Sequence, residues 1–242
     1  MRPLSTSELL SVWERGQARP VVERALALLA AACPDETPDA LARLSIGRRD
    51  ALLMTLREWT FGARLVSLAA CPECGERLEL DMAVADIRVP PVGPAPERLE
   101  MTVGGYEIAL RLPDSRDLAA LAGEAGLPAL RQRLLARCLL SVRRRGKEAS
   151  LPEELAEAAV ARLAEADPQA DVQLSLSCPA CGISWLAAFD IVTFFWREIE
   201  AWAARLLREV HALARAYGWS EGEILSLSPR RRQIYLQMVS GG

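Results

Sequence analysis

Six cysteines stand against one histidine, His211, in 242 residues, and four of the six fall in two copies of one short unit. Cys71-Pro72-Glu73-Cys74-Gly75 and Cys178-Pro179-Ala180-Cys181-Gly182 each set two thiols two residues apart on a tight turn. Proline fixes the turn. The glycine accepts a left-handed backbone and leaves N–H groups free to point at the sulfurs. Together Cys71, Cys74, Cys178 and Cys181 supply four thiolates, a donor set suited to tetrahedral Zn2+. Four thiolates leave no open position for water or substrate, so one zinc held there would be structural. A single joint site is the leading expectation; half-sites bridging two chains, or a redox dithiol, are the alternatives. A redox pair normally opens a helix after a strand, and neither unit does.

The elements around the units read as strands. Arg64–Leu68 and the alternating Glu76–Met82 flank the first, and Asp171–Ser177 and Ile183–Phe189 flank the second. That is the plan of a zinc ribbon, except that 103 residues separate Cys74 from Cys178, against a usual interval of about 15–20. A large insertion resolves the mismatch, because loop closure costs rise only logarithmically with length.

The predicted organisation follows: an α+β, mainly helical chain whose ribbon is built from two distant knuckles. Residues 1–62 form an N-terminal helical unit, with caps at Ser5 or Thr6, a start at Pro20, and a third helix over 46–59. Residues 63–82 form the first half of the ribbon and 171–189 the second. Residues 83–170 form the inserted subdomain. It begins with a proline-rich linker from Val89 to Pro96, then a hairpin turning at Gly104-Gly105. Helices follow, one capped at Asp114 or Ser115, one over 127–142 that ends at Arg143-Arg144-Arg145, and one from Pro152 to about Ala166. Residues 190–242 hold one long helix to about Tyr217 and a helical tail.

Composition narrows the function. Hydrophobic residues reach 51%, which excludes a disordered polar tail, and the net charge of −3 argues against a general nucleic-acid binder. Of 29 basic residues only Lys147 is a lysine, so Schiff-base chemistry would depend on it alone. No apolar run is long enough to span a membrane and no signal peptide is evident, so a cytoplasmic location is expected. Reducing cytoplasm favours metal binding over disulfides. Cys33 and Cys138 sit on apolar helical stretches and read as core thiols. No phosphate loop, nucleophile elbow or His-based triad is present, so no catalytic residue is assigned and an enzyme is not expected.

For partner contacts the tail stands out. Phe194-Phe195-Trp196 cover about 200° of a helix, so one must leave the packing face, and Trp196 and Trp219 are candidate anchors. Arg230, Arg231 and Arg232 open the last helix against its dipole, which calls for an acidic partner or for compensation by Glu221 and Glu223.

The whole pattern resembles the T4-type baseplate hub assembly chaperones encoded among the tail genes of contractile phages and phage-tail-like injection systems. The resemblance rests on Trp13-Glu14-Arg15-Gly16, Ile46-Gly47-Arg48-Arg49-Asp50, both knuckles, and Leu110-Arg111-Leu112-Pro113-Asp114-Ser115-Arg116-Asp117-Leu118. It continues through His211–Glu221 and Arg231–Leu236. It implies a non-enzymatic assembly factor that binds a baseplate, hub or other tail protein. A zinc-ribbon nucleic-acid-binding regulator is the alternative, and an enzyme with its pocket in residues 83–170 a distant third.

Overall fold

The computed structural model describes residues 1–90, 96–123 and 126–240; within the Val89–Pro96 linker, residues 91–95 lie outside the described part. The chain mixes helix and sheet and is mainly helical. Helix α1 (Thr6–Gly16) starts at a capping box: Ser5 Oγ accepts the Glu8 N–H, and Glu8 accepts the Ser5 N–H. Helices α2 (Val21–Ala32), α3 (Pro38–Ala42) and α4 (Ile46–Phe61) follow. The antiparallel hairpin of β1 (Arg64–Ala70) and β2 (Arg77–Ala83) comes next, closed by the single turn α5 (Val84–Ile87).

The middle of the chain builds a second layer. Strands β3 (Leu99–Val103) and β4 (Tyr106–Leu110) turn at Gly104-Gly105, both at positive φ as a primed turn demands. Helix α6 (Ser115–Ala120) is capped by Asp114, and α7 (Leu127–Cys138) runs directly into β5 (Leu139–Arg144). Strand β6 (Lys147–Glu148) and helix α8 (Glu153–Ala166) complete it. The sheet order is β3-β4-β5-β6.

The helix expected over 127–142 stops at Cys138, and Arg143-Arg144-Arg145 is not a helix end. Pairing of Ile108 with Val142 and of Ala109 with Ser141 satisfies the open edge of β4. A tight turn at Arg145-Gly146, both at positive φ, then sends β6 back. Edge pairing with a β-branched Val142 outcompetes helix continuation, and Arg144 lies over the Tyr106 ring at 4.9 Å.

A second two-stranded hairpin, β7 (Val172–Ser177) with β8 (Ser184–Phe189), leads into α9 (Ile191–Tyr217), then α10 (Glu221–Ser226) and α11 (Pro229–Ser240). Two cores result. Leu28, Leu29, Leu53, Leu56, Ile191, Phe195 and Ile199 unite α2, α4 and the start of α9, with Met82, Val172 and Phe189 of both hairpins at its margin. Leu99, Ile108, Leu110, Leu135, Val142 and Ala159 form a separate core under the four-stranded sheet. Each fully buried leucine contributes roughly 1.5–3 kcal/mol.

Trp196 belongs to the first core, at 2% exposure, and is not the outward member of its aromatic run. Arg24 covers its ring at 4.8 Å, and its indole N–H donates to Glu200 at 2.8 Å. A methyl at Gly16 would run into the same ring, so the glycine of the Trp13–Gly16 motif makes room for it. Half-buried Phe194 takes the outer position, between Phe189 at 5.5 Å and the Arg57 guanidinium at 5.6 Å.

Candidate metal centre

The two knuckles are local copies of each other. In the first, the Cys71 N–H donates to Glu76 O at 2.8 Å and the Gly75 N–H to Cys71 O at 3.0 Å. In the second, the Cys178 N–H donates to Ile183 O and the Gly182 N–H to Cys178 O, each at 2.9 Å. Gly75 and Gly182 hold φ of 74° and 76°, the left-handed backbone for which each glycine is present. Each knuckle is the tip of its own hairpin.

The hairpins bring the tips together. All four sulfurs of Cys71, Cys74, Cys178 and Cys181 lie within 4.8 Å of one another. Across the join, Cys71 Sγ is 3.7 Å from Cys181 Sγ and Cys74 Sγ is 3.6 Å from Cys178 Sγ. Disulfides would require about 2.05 Å. A tetrahedron with metal–sulfur bonds of about 2.3 Å has edges of about 3.8 Å, so the spacing fits a metal ion bound by both knuckles of one chain. Cys71 and Cys178 are buried while Cys74 and Cys181 are exposed, which sets the cluster at the rim of the body.

Electrostatics agree with the donor chemistry. The Cys74 N–H pointing at Cys71 Sγ, aided by that of Glu73, brings the Cys71 thiol down to about 7. The Glu76 N–H acts likewise on Cys74, yet lost hydration and the crowding thiols of Cys178, Cys181 and Cys71 push it up to about 12. Four sulfurs this close repel as thiolates, and a cation among them lets all four ionise together.

The predicted partner residues are scattered. Trp219 is half-buried, stacked on Tyr217 at 4.6 Å and edge-on to Tyr235 at 4.9 Å, which fastens α11 to the end of α9. Arg230 and Arg231 are exposed. Arg232 is 4% exposed, paired with Glu209 at 3.4 Å and donating to Leu227 O at 2.8 Å, so it is a tail fastener and not a free cation. Glu209 supplies the compensation expected from Glu221 and Glu223; Glu223 instead caps α10 through Ser220. His211 is exposed, and Cys33 and Cys138 are buried.

One constellation went unread as a unit. Segments Ile46–Asp50 and Leu110–Leu118 meet: the Ile46 N–H donates to Pro113 O at 3.1 Å and Arg49 reaches Ser115 Oγ at 3.4 Å. Behind them Asp117, its side chain 1% exposed, accepts two bonds from Arg111 (2.6 and 2.8 Å) and one from Arg137 (2.9 Å). Burial alone would raise its carboxyl, but Arg111, the Asp114 N–H and Arg137 hold it down at about 2. Asp167 accepts the Gly47 N–H at 2.8 Å, so a carboxylate 120 positions away caps the start of α4. The available signal was the run of alternating Arg and Asp in 111–117, whose charges lie too close together to be a solvated face.

Such a thiol clasp on a mixed, mainly helical body defines the class as one with a four-cysteine, metal-capable site. A family model described as T4 bacteriophage base plate protein matches residues 6–196, and the chain belongs to that family. No curated protein and no solved structure matches it. No described helix is long and apolar enough to cross a membrane.

Proposed function

We propose that the protein is a non-enzymatic assembly factor for the baseplate or hub of a contractile tail-like particle, and that one structural zinc locks its two knuckles into a ribbon. The observation that carries this reading is the closed four-sulfur cluster in a member of the base plate family. Cys71, Cys74, Cys178 and Cys181 hold the ion, which offsets part of their charge and cross-links segments 103 residues apart. Zinc suits four soft thiolates in tetrahedral array better than harder divalent ions do. The client is a baseplate, hub or other tail protein, engaged chiefly through the C-terminal helices, where Trp219, Arg230 and Arg231 lie.

Co-expression with each tail protein encoded beside it tests the reading. A stable complex, or recovery of a soluble client that aggregates without this chain, is the expected result. Absence of any complex or rescue, in both orders of expression, would remove the assembly role.

A further inference from the structure

The solvent side of α9 carries arginines that, among the described residues, have no carboxylate partner. At 100° per residue, Ile199, Ala203, Leu206, Val210 and Leu213 fall on one side of the helix, and all are buried. Arg197, Ala201, Ala204, Arg208, His211 and Arg215 fall on the opposite side, and all are exposed. That stripe runs about 27 Å at 1.5 Å per residue. Of the acidic residues of α9, Glu198 is paired with Arg57 and Glu209 with Arg232, while exposed Glu200 accepts the neutral Trp196 indole and leaves a single negative charge beside the stripe. Among the described residues Arg197 and Arg215 have no carboxylate partner, and Arg208 donates only to Ala204 O.

The charge balance shifts at the same point in the chain. Residues 197–242 contain seven arginines and five glutamates, so a positive segment follows 196 residues of net charge −5. The family match ends at Trp196, one residue before the stripe begins. Shape adds to charge. Ala201 and Ala204 keep the middle of the stripe low, so a second helix can approach closely there. Arg197 on one side, and Arg208 and Arg215 on the other, are left to reach around it.

We infer that this face docks an acidic helical segment of another protein, whose carboxylates pair with Arg197, Arg208 and Arg215 across the alanine saddle. The inference rests on the assembly-factor reading for its biological setting, but the surface is defined by charge and spacing alone. Helix-to-helix docking suits a straight, alanine-centred stripe. A nucleic-acid site would also need the chain to overcome its own net negative charge.

The full-length protein is titrated with a synthetic amphipathic helix carrying glutamates at every third and fourth position, with the same peptide bearing lysines, and with a DNA duplex. The acidic peptide alone should bind, more weakly as salt rises. R197E/R208E/R215E should reduce its affinity at least about tenfold. R143E/R145E, two charge reversals against three, on the β5–β6 turn, should leave most of the binding intact. All of these arginines are exposed, so thermal unfolding serves as the folding control. Equal binding by both variants, tighter binding of the duplex, or no binding of the acidic peptide overturns the inference. Self-association of the chain through the stripe overturns it as well. Failure here with tail-protein complexes preserved would reject the surface and spare the assembly role; peptide binding without any tail complex would do the reverse.

Discussion

Two regions join segments far apart in the chain, and they do it with opposite chemistry. At one end, four thiols from two hairpin tips converge within 4.8 Å, a clasp that gathers charge of one sign and asks for an ion. At the other, Arg111, Arg137, Asp114 and Asp117 meet the start of α4, a junction that carries its own counter-charges. The clasp should therefore act as an external switch on stability, whereas the junction should respond to pH and to the loss of single side chains.

Removing the proposed metal should give the largest effect. Structural zinc of this type supplies roughly 10–16 kcal/mol to folding. We expect about one zinc per chain by elemental analysis of protein purified without added metal. Chelation should then lower the melting temperature sharply and loosen both hairpins. Cys71→Ser and Cys178→Ser should behave alike, because each removes a ligand from the same ion although they lie on different knuckles. Should one of them keep full metal content and stability, the joint clasp is wrong.

The junction should be next. Asp117→Asn keeps the size but leaves Arg111 and Arg137 facing a neutral amide; since both guanidinium groups are partly solvated, the loss should be about 2 kcal/mol. The native carboxyl, held at about 2 against an ordinary 3.8, contributes stability that is fully present above pH ~4 and lost as pH falls toward ~2. Denaturant midpoints measured over that window should therefore converge for the native protein and the variant. Parallel curves would show that Asp117 does not carry the acid sensitivity.

The two regions also differ in how openly the sequence announces them. A knuckle is local: five residues specify the turn, the sulfurs and the glycine, so the clasp could be read although its halves lie far apart. Other elements were legible for the same reason, through alternation in β2 and β7 and a glycine pair after β3. The junction is made between segments, and Arg111-Leu112-Pro113-Asp114 says nothing by itself about meeting Ile46. Likewise 139–144 carries apolar spacing that suits a helix as well as a strand, and only the free edge of β4 decides. Trp196 faced the same ambiguity, settled by the space that Gly16 leaves on α1.

Gly47 and Asp167 allow a finer test of that junction. A methyl on Gly47 would press on the Asp167 carboxylate and on the Ala170 backbone nitrogen. Gly47→Ala should therefore cost about 1–3 kcal/mol, the range for overpacking, and a neutral outcome would mean that the approach of 167–170 to α4 is loose.

The smallest effect expected is at Asp167 itself, where two substitutions separate charge from hydrogen bonding. Burial raises its carboxyl above the ordinary 3.8, against the lowering effect of the Gly47 N–H. A raised acid binds its proton more tightly in the folded state, so the stability it contributes is greatest at low pH and declines as pH rises through that interval. This slope is opposite to that of Asp117. Asp167→Asn retains a neutral acceptor for the Gly47 N–H and removes the cost of burying a charge, so it should be close to neutral at pH 7. Asp167→Ala loses the cap and should cost about 1 kcal/mol. If Asn proves as damaging as Ala, the ionised carboxylate and not the hydrogen bond holds the start of α4, and the junction depends on charge at both of its aspartates.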